Sequence, residues 1–207
     1  MIPFEGVVVA PIDMVKSTAK NMLSPLLRLT LQRKIRGRWP LWVHFGCGEV
    51  ADARFLNVDA RFFRHVDYVT TSPGMPAIPI GSADLIYACH VFEHVSYLKQ
   101  GKTLARWNAI LKTGGKLMLS VPDFEKLVEL YQSGQRDLVG VQPPLMGGQE
   151  YPGNFHFAIF TKDHLSKLLI AAGFNNVQTW RSGEQDNWPR DWSWDETVSL
   201  NLLATKR

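Results

Sequence analysis

The most constraining stretch of this chain is Val43-His44-Phe45-Gly46-Cys47-Gly48-Glu49. A short apolar run, Leu41 to Phe45, ends in Gly-Cys-Gly. A second run, Phe55-Leu56-Asn57-Val58-Asp59, closes on an acid eleven residues after Gly48. Glycines let backbone approach a ligand closely, because no Cβ is in the way. A carboxylate at the tip of the neighbouring strand can accept hydrogen bonds from both hydroxyls of a ribose. Glycine turn and acid together describe a nucleoside site at the carboxyl edge of a parallel sheet.

Gly46 to Ala51 satisfies G-x-G-x-x-G/A, so a nicotinamide dinucleotide has to be weighed. Two features count against it. The acid stands 13 residues after the first glycine, whereas the dinucleotide fingerprint places it about 20 on. Only Glu49 to Arg54 separates the turn from the second run, and a βαβ crossover needs at least about 10–12 residues. The helix that would hold a pyrophosphate is therefore short or absent, and a cofactor without phosphates fits better. A glycine turn that binds nothing stays open at this point.

The 207 residues suffice for one well-cored domain. No run of about 18 apolar residues occurs, so no membrane span is expected. Met1-Ile2-Pro3-Phe4-Glu5 lacks a basic, then apolar, secretory signal. Cys47 and Cys89 make no disulfide framework, which points to a reducing, cytoplasmic setting. Net charge is +4, with +5 in residues 1–40 and −1 in residues 41–207. The body therefore carries no general nucleic-acid surface. The division expected is a basic helical segment, 1–40, ahead of a catalytic domain, 41–207.

Val7-Val8-Val9 reads as a short strand or a tail. Asp13 caps a first helix to about Met22, and Ser24-Pro25 opens a second, to about Arg36. That second helix is basic and partly amphipathic. It either packs on the domain or makes weak peripheral contact with an anionic membrane. From Leu41 strands and helices alternate, the mark of an α/β sheet. Strands are expected at Leu41–Phe45, Phe55–Asp59, Val66–Thr70, Asp84–Cys89, Lys116–Val121, Val177–Trp180 and Ser199–Thr205. Helices are expected at about Gly101–Leu111, Phe124–Ser133 and Lys162–Ala172. Residues 134–160 read as an irregular Gly- and Pro-rich insert on the substrate side, crowded with Tyr151, Asn154, Phe155, His156 and Phe157. A later loop holds Trp188, Trp192 and Trp194, which can stack on a sugar ring or close a core.

HFGCG (44–48), FLNVDA (55–60), IPIGSADLIYACHVFEHV (78–95), LKTGGKLMLSVPDF (111–124), HFAIFTKDHLSKLLIAAGF (156–174) and SLNLLATK (199–206) follow one another in order. With these stretches the chain resembles class I S-adenosylmethionine-dependent methyltransferases from about residue 41 onward. More narrowly, it resembles small methyltransferases associated with bacterial polysaccharide synthesis. The resemblance implies a Rossmann-like sandwich: a mostly parallel seven-stranded sheet, order 3-2-1-4-5-7-6, with helices on both faces. It implies S-adenosyl-L-methionine as cofactor. The cofactor residues implied are Phe45, Gly46, Cys47 and Gly48 on the glycine loop, Asp59 on the ribose with Ala60 beside it, then Thr70, Cys89 and His90. Glu93-His94 matches a Glu-His pair on the helix after strand four. Cys47 and Cys89 then stand at adjacent strand tips. Two positions depart from the pattern: His44 replaces an acid before the first glycine, and Thr70 or Thr71 replaces an acid facing adenine.

Methyl transfer from a sulfonium is an in-line displacement, in which the protein positions the acceptor and manages its proton. A hydroxyl acceptor needs a base, and histidine has a suitable pKa. His44 sits in a core strand, while His65 and His164 flank surface elements and read as solvated. His94 and His156, with Glu93, are the catalytic candidates, and His156 is the first choice for base. Each can also be a hydrogen-bonded wall residue. Tyr151, Asn154 and Trp192 are the substrate-binding candidates. No metal-ligand spacing stands out, so no metal is assigned, although Asp123 with Glu93 or His94 is one combination for Mg²⁺. The function expected is O-methylation of a sugar, glycan or other small polar acceptor. The alternative is an inactive, methyltransferase-like binding or scaffold protein. Oligomeric state stays open.

Overall fold

Trp42–Phe45 (β1) and Phe55–Asp59 (β2) pair in parallel, with no helix between them, only turns. The computed structural model in which this is seen describes residues 25–181, 191 and 197–207. Tyr68–Val69 (β3), Ala83–Cys89 (β4), Leu111–Pro122 (β5), Phe174–Thr179 (β6) and Ser199–Lys206 (β7) complete one sheet. Its order is β3-β2-β1-β4-β5-β7-β6. Strands β1 to β5 run parallel, and β7 runs antiparallel to both its neighbours. Architecture and order are those expected.

Side-chain alternation explains the two-sided burial. In β4, Leu85, Tyr87 and Cys89 join a small cluster with Phe55 and Met118. Ile86 and Ala88 face the larger core with Val43, Val58, Leu117 and Leu119. Helices Gln100–Ile110 (α2) and Lys162–Ala171 (α5) send Leu104, Trp107, Leu165 and Leu169 into that core, all fully buried. Helix Pro25–Arg36 (α1) follows the expected bounds. Leu31 and Ile35, one turn apart, are buried in the same core, while Lys34 and Arg38 pair with Asp67. Leu26 and Leu29 on α1 stay exposed. Among the described residues no helix is long and apolar enough to cross a membrane.

Several boundaries differ from expectation. Strand β3 shrinks to two residues. The Lys112–Gly115 stretch is a bulge inside β5, not a loop before it: Ala83 pairs with Leu111 and Leu85 already with Lys116. A Cβ on Gly115 would lie 2.8 Å from the Lys112 carbonyl, so the bulge needs glycine there. Phe124–Gln132 (α3) is capped by Asp123, whose carboxylate accepts from Glu125 and Lys126. Part of the insert read as irregular is helical, Leu138–Met146 (α4). Asp137 caps it by accepting from Gly140 N at 2.8 Å, and it tolerates Pro143 and Pro144 near its end. The sequence 1–24, with its expected strand and first helix, lies outside the described residues. So do Trp188, Trp192 and Trp194.

Candidate functional site

The sheet places its switch point at β1 and β4. From β1 the chain moves outward to β2 and β3; from β4 it moves to β5. Ligands of such sheets sit outside the carboxyl ends at this point. A cavity of about 1840 Å³ opens there. Every described residue assigned to the site from sequence lines it: those of the glycine loop, Asp59, Ala60, Thr70, Cys89 and His90, and also Glu93, His94, Tyr151, Asn154 and His156. Trp192 lies outside the described residues.

The inner end is the glycine loop. Gly46 has φ of +71° and Gly48 +54°. A Cβ on Gly46 would come within 2.5 Å of Val91, so β1's loop and the segment after β4 close together only because residue 46 has no side chain. The amides of Gly46 and Cys47 donate to the Val58 carbonyl, and Gly48 N donates to Asp59 Oδ2 at 2.8 Å. Asp59 Oδ1 accepts from Arg61 N at 2.7 Å. Each carboxylate oxygen keeps lone-pair capacity for a further donor. Thr70 is buried at the end of β3, and its hydroxyl accepts from Ser72 N. Phe45 and Cys89 are buried beneath the cavity floor, and Ala60 is exposed at its rim.

His44 and Cys47 are tuned by burial. His44 lies between the rings of Phe55 and Tyr87, and burial lowers its pKa to about 4. Burial, with Asp59 adding to it, pushes the Cys47 thiol up to about 12. His65 is not merely solvated as expected: its Nε2 lies 3.0 Å from the Gly48 carbonyl, so it braces the glycine loop from outside. No local pattern around His65 signals this contact.

The outer end is built on the turn after β4. Glu93-His94 stands on a single 3-10 turn, Phe92–His94, and not on the expected helix; the helix begins only at Gln100. His90 enters the turn with φ of +47°, a strained backbone for a non-glycine residue. Its ring holds Ser199 Oγ at 2.9 Å through Nε2 and approaches Glu93 Oε1 to 3.4 Å through Nδ1. The insert folds onto the turn: Phe157 N donates to the Glu93 carbonyl at 2.8 Å. This brings His156 edge-on to His94, with ring centroids 4.8 Å apart.

Glu93 is fully buried, and among the described residues neither of its carboxylate oxygens accepts a hydrogen bond. Burial works to raise its pKa, but His90, His94 and His156 outweigh it and hold the carboxyl below its ordinary range. Burial also lowers the His156 pKa, against the pull of Glu93 3.9 Å away. One ring nitrogen of His94, one of His156 and one Glu93 oxygen lie within 4.8 Å of one another. Asp123 does not join them, because its carboxylate is spent on capping α3. Tyr151 and Asn154 form the outer wall. Asn154 bonds Glu150, and Arg61 lies 4.8 Å over the Tyr151 ring. Arg61 thus links the glycine-loop end to the insert, a role signalled in the sequence only by its place two residues after Asp59.

Residues 19–179 match a family described as methyltransferase domain. None of the curated proteins matches the chain. Among solved structures, the chain is similar to an S-adenosylmethionine-dependent methyltransferase from Archaeoglobus fulgidus. They share 13% identity over 94% of this chain and 99% of that one, with a TM-score of 0.52. It is also similar to Burkholderia thailandensis 1,6-didemethyltoxoflavin-N1-methyltransferase, solved with 1,6-didemethyltoxoflavin and S-adenosylhomocysteine. Identity there is 19%, coverage 99% of this chain and 93% of that one, and the TM-score 0.52. At these identities the likeness is one of fold.

Proposed function

The chain belongs to the methyltransferase domain family, and from that premise we infer that this S-adenosylmethionine-dependent enzyme methylates an oxygen of a sugar, a glycan or another small polar acceptor. The observation that carries the reading is one cavity with two chemically different ends. At one end a glycine turn faces a buried carboxylate that still has lone pairs to offer. At the other, two histidines and a glutamate converge. Its volume of about 1840 Å³ exceeds the roughly 300–1,000 Å³ of an ordinary single-ligand pocket, which leaves room for cofactor and acceptor together.

The inner end fits S-adenosylmethionine. Asp59 accepts from the ribose hydroxyls, while Gly46 and Gly48 leave backbone close enough to cradle the methionine part. No helix follows the glycine turn, so no helix N-terminus waits for a pyrophosphate, which supports a phosphate-free cofactor over a dinucleotide. Bound S-adenosylmethionine supplies a sulfonium methyl as the electrophile. Phe45, Cys47, Ala60, Thr70, Cys89 and His90 wall the cofactor half. Tyr151 and Asn154 bind the acceptor, and the Glu93–His94–His156 cluster orients its hydroxyl and takes up its proton, with His156 as first acceptor.

Calorimetric titration with S-adenosylmethionine tests the inner end. Release of S-adenosylhomocysteine in the presence of nucleotide sugars and glycans tests the outer. Saturable cofactor binding with turnover on at least one sugar hydroxyl is expected. Cofactor binding with turnover confined to amines or carbon acids would overturn the acceptor class.

A further inference from the structure

The tautomers of His94 and His156 are fixed by their partners. His94 Nδ1 lies 2.9 Å from the Phe155 carbonyl, and His156 Nδ1 lies 3.0 Å from the Pro144 carbonyl. A carbonyl oxygen only accepts, so both Nδ1 atoms carry a proton, and in a neutral ring Nε2 is then the atom with the lone pair. Pro144 lies in the last turn of α4, where carbonyls have no helical partner, which is why it is available to His156. The third member, Glu93, adds a buried carboxylate that accepts no hydrogen bond. Three potential electron-pair donors therefore converge at one place, with His90 Nδ1 3.4 Å from Glu93 Oε1 beside them. A buried carboxylate is costly to charge unless cationic or donor groups face it, and a metal ion would be one.

Metal-ligating histidines almost always donate their other ring N–H to a carbonyl or carboxylate. That is the arrangement at both His94 and His156. We propose that Glu93, His94 and His156, each through one ligand atom, bind one divalent transition-metal ion, with His156 Nε2 then serving as a ligand in place of the base, and with the ion's remaining positions facing the acceptor half of the cavity. The ligand atoms, within 4.8 Å of one another, are somewhat wider than the roughly 3.4 Å between donors about 2.1 Å from a tetrahedral ion. His94, only half-buried on its turn, can close that difference by rotation. Two imidazoles and one carboxylate suit Zn²⁺, Fe²⁺ or Co²⁺ better than Mg²⁺, which prefers oxygen ligands and keeps its waters. Three ligands on one side leave positions for one or two acceptor oxygens, so the ion selects acceptors that present a hydroxyl or a neighbouring pair of hydroxyls. This last step rests on the acceptor reading above; the ion site itself does not.

The test uses tag-free full-length protein, stripped with a chelator and titrated with Zn²⁺ and Co²⁺ in the absence of cofactor and acceptor. Calorimetry gives the stoichiometry, and the visible absorption of bound Co²⁺ gives the ligand field. One ion per chain is expected, with binding weakened about 100-fold or more in Glu93→Gln and in His94→Ala. His94→Ala alters a half-buried side chain on a surface turn, so it keeps the measurement meaningful should Glu93→Gln fail to fold. No uptake by the wild type, or equal uptake by His94→Ala, overturns the site, as does binding of Mg²⁺ in preference to Co²⁺. If the ion binds while S-adenosylmethionine does not, the proposed function fails and the ion site stands. If methyl transfer proceeds in stripped protein that takes up no ion, the outcome is reversed.

Discussion

Asp59 and Gly48 hold each other across the carboxyl edge of the sheet: the Gly48 amide donates to Asp59 Oδ2 at 2.8 Å. The residue expected to take the ribose is thus also the brace of the glycine loop. Asp59→Ala should weaken S-adenosylmethionine binding by about 1–3 kcal/mol, the scale for leaving polar groups without partners. Asp59→Asn keeps one acceptor oxygen and should fall between the two. Titration calorimetry on the three proteins checks this order; equal affinities would detach Asp59 from the cofactor.

A buried histidine at the centre of the sheet predicts acid sensitivity. His44 is 1% exposed, and burial lowers its pKa from 6.5 to about 4. Below pH 6.5 the unfolded chain binds this proton and the folded chain does not. The contribution is therefore complete above pH 6.5 and is lost progressively as pH falls toward 4. Between pH 7 and pH 5 it amounts to about 2 kcal/mol. Urea unfolding at both pH values should show a larger loss for the wild type than for His44→Phe. Parallel pH dependence in the two proteins would assign the sensitivity to other groups.

Much of this molecule is legible in the sequence because strands buried on both faces announce themselves as apolar runs. Phe55–Asp59 has the expected bounds, and Pro25–Arg36 starts at its proline. The glycine loop and Asp59 were readable because φ above zero and close approach select glycine. What stayed hidden depends on tertiary contact. Pro143 and Pro144 argue locally against a helix, yet the Asp137 cap and the packing of buried Val141 sustain α4. The resemblance puts Glu93-His94 on the helix after strand four, but the chain makes only one 3-10 turn there. The meeting of His156 with Glu93 and His94 has no spacing to betray it, because the hydrogen bond from Phe157 N to Glu93 that folds the insert down links distant parts of the chain.

Cys47 and Cys89 are both buried, at the ends of neighbouring strands. With the Cys47 thiol pushed up to about 12, almost no thiolate exists near neutral pH, and the thiolate is the nucleophile. Native protein should resist iodoacetamide at Cys47, and two thiols per chain should titrate after denaturation without reductant. Mass spectrometry of the labelled peptides checks both points; rapid native labelling of Cys47 would contradict its burial.

The last prediction separates the two roles His156 combines. Its Nδ1 supports the end of α4 through Pro144, and its Nε2 faces Glu93 3.9 Å away. His156→Asn retains a donor for the Pro144 carbonyl but puts no imidazole nitrogen against Glu93. His156→Ala loses both. Proton handling is typically worth about 10²–10⁴-fold in rate, so both variants should lose turnover on that scale. Only His156→Ala should also lose stability, by about 1 kcal/mol for the missing hydrogen bond. Cofactor affinity should stay unchanged in either, because Asp59 and the glycine loop lie at the other end of the cavity. Single-turnover rates, thermal midpoints and calorimetry on the same preparations give the three readings. A His156→Asn enzyme with near wild-type turnover would remove this nitrogen from the chemistry and from any ion site, and leave the histidine only its hold on the insert.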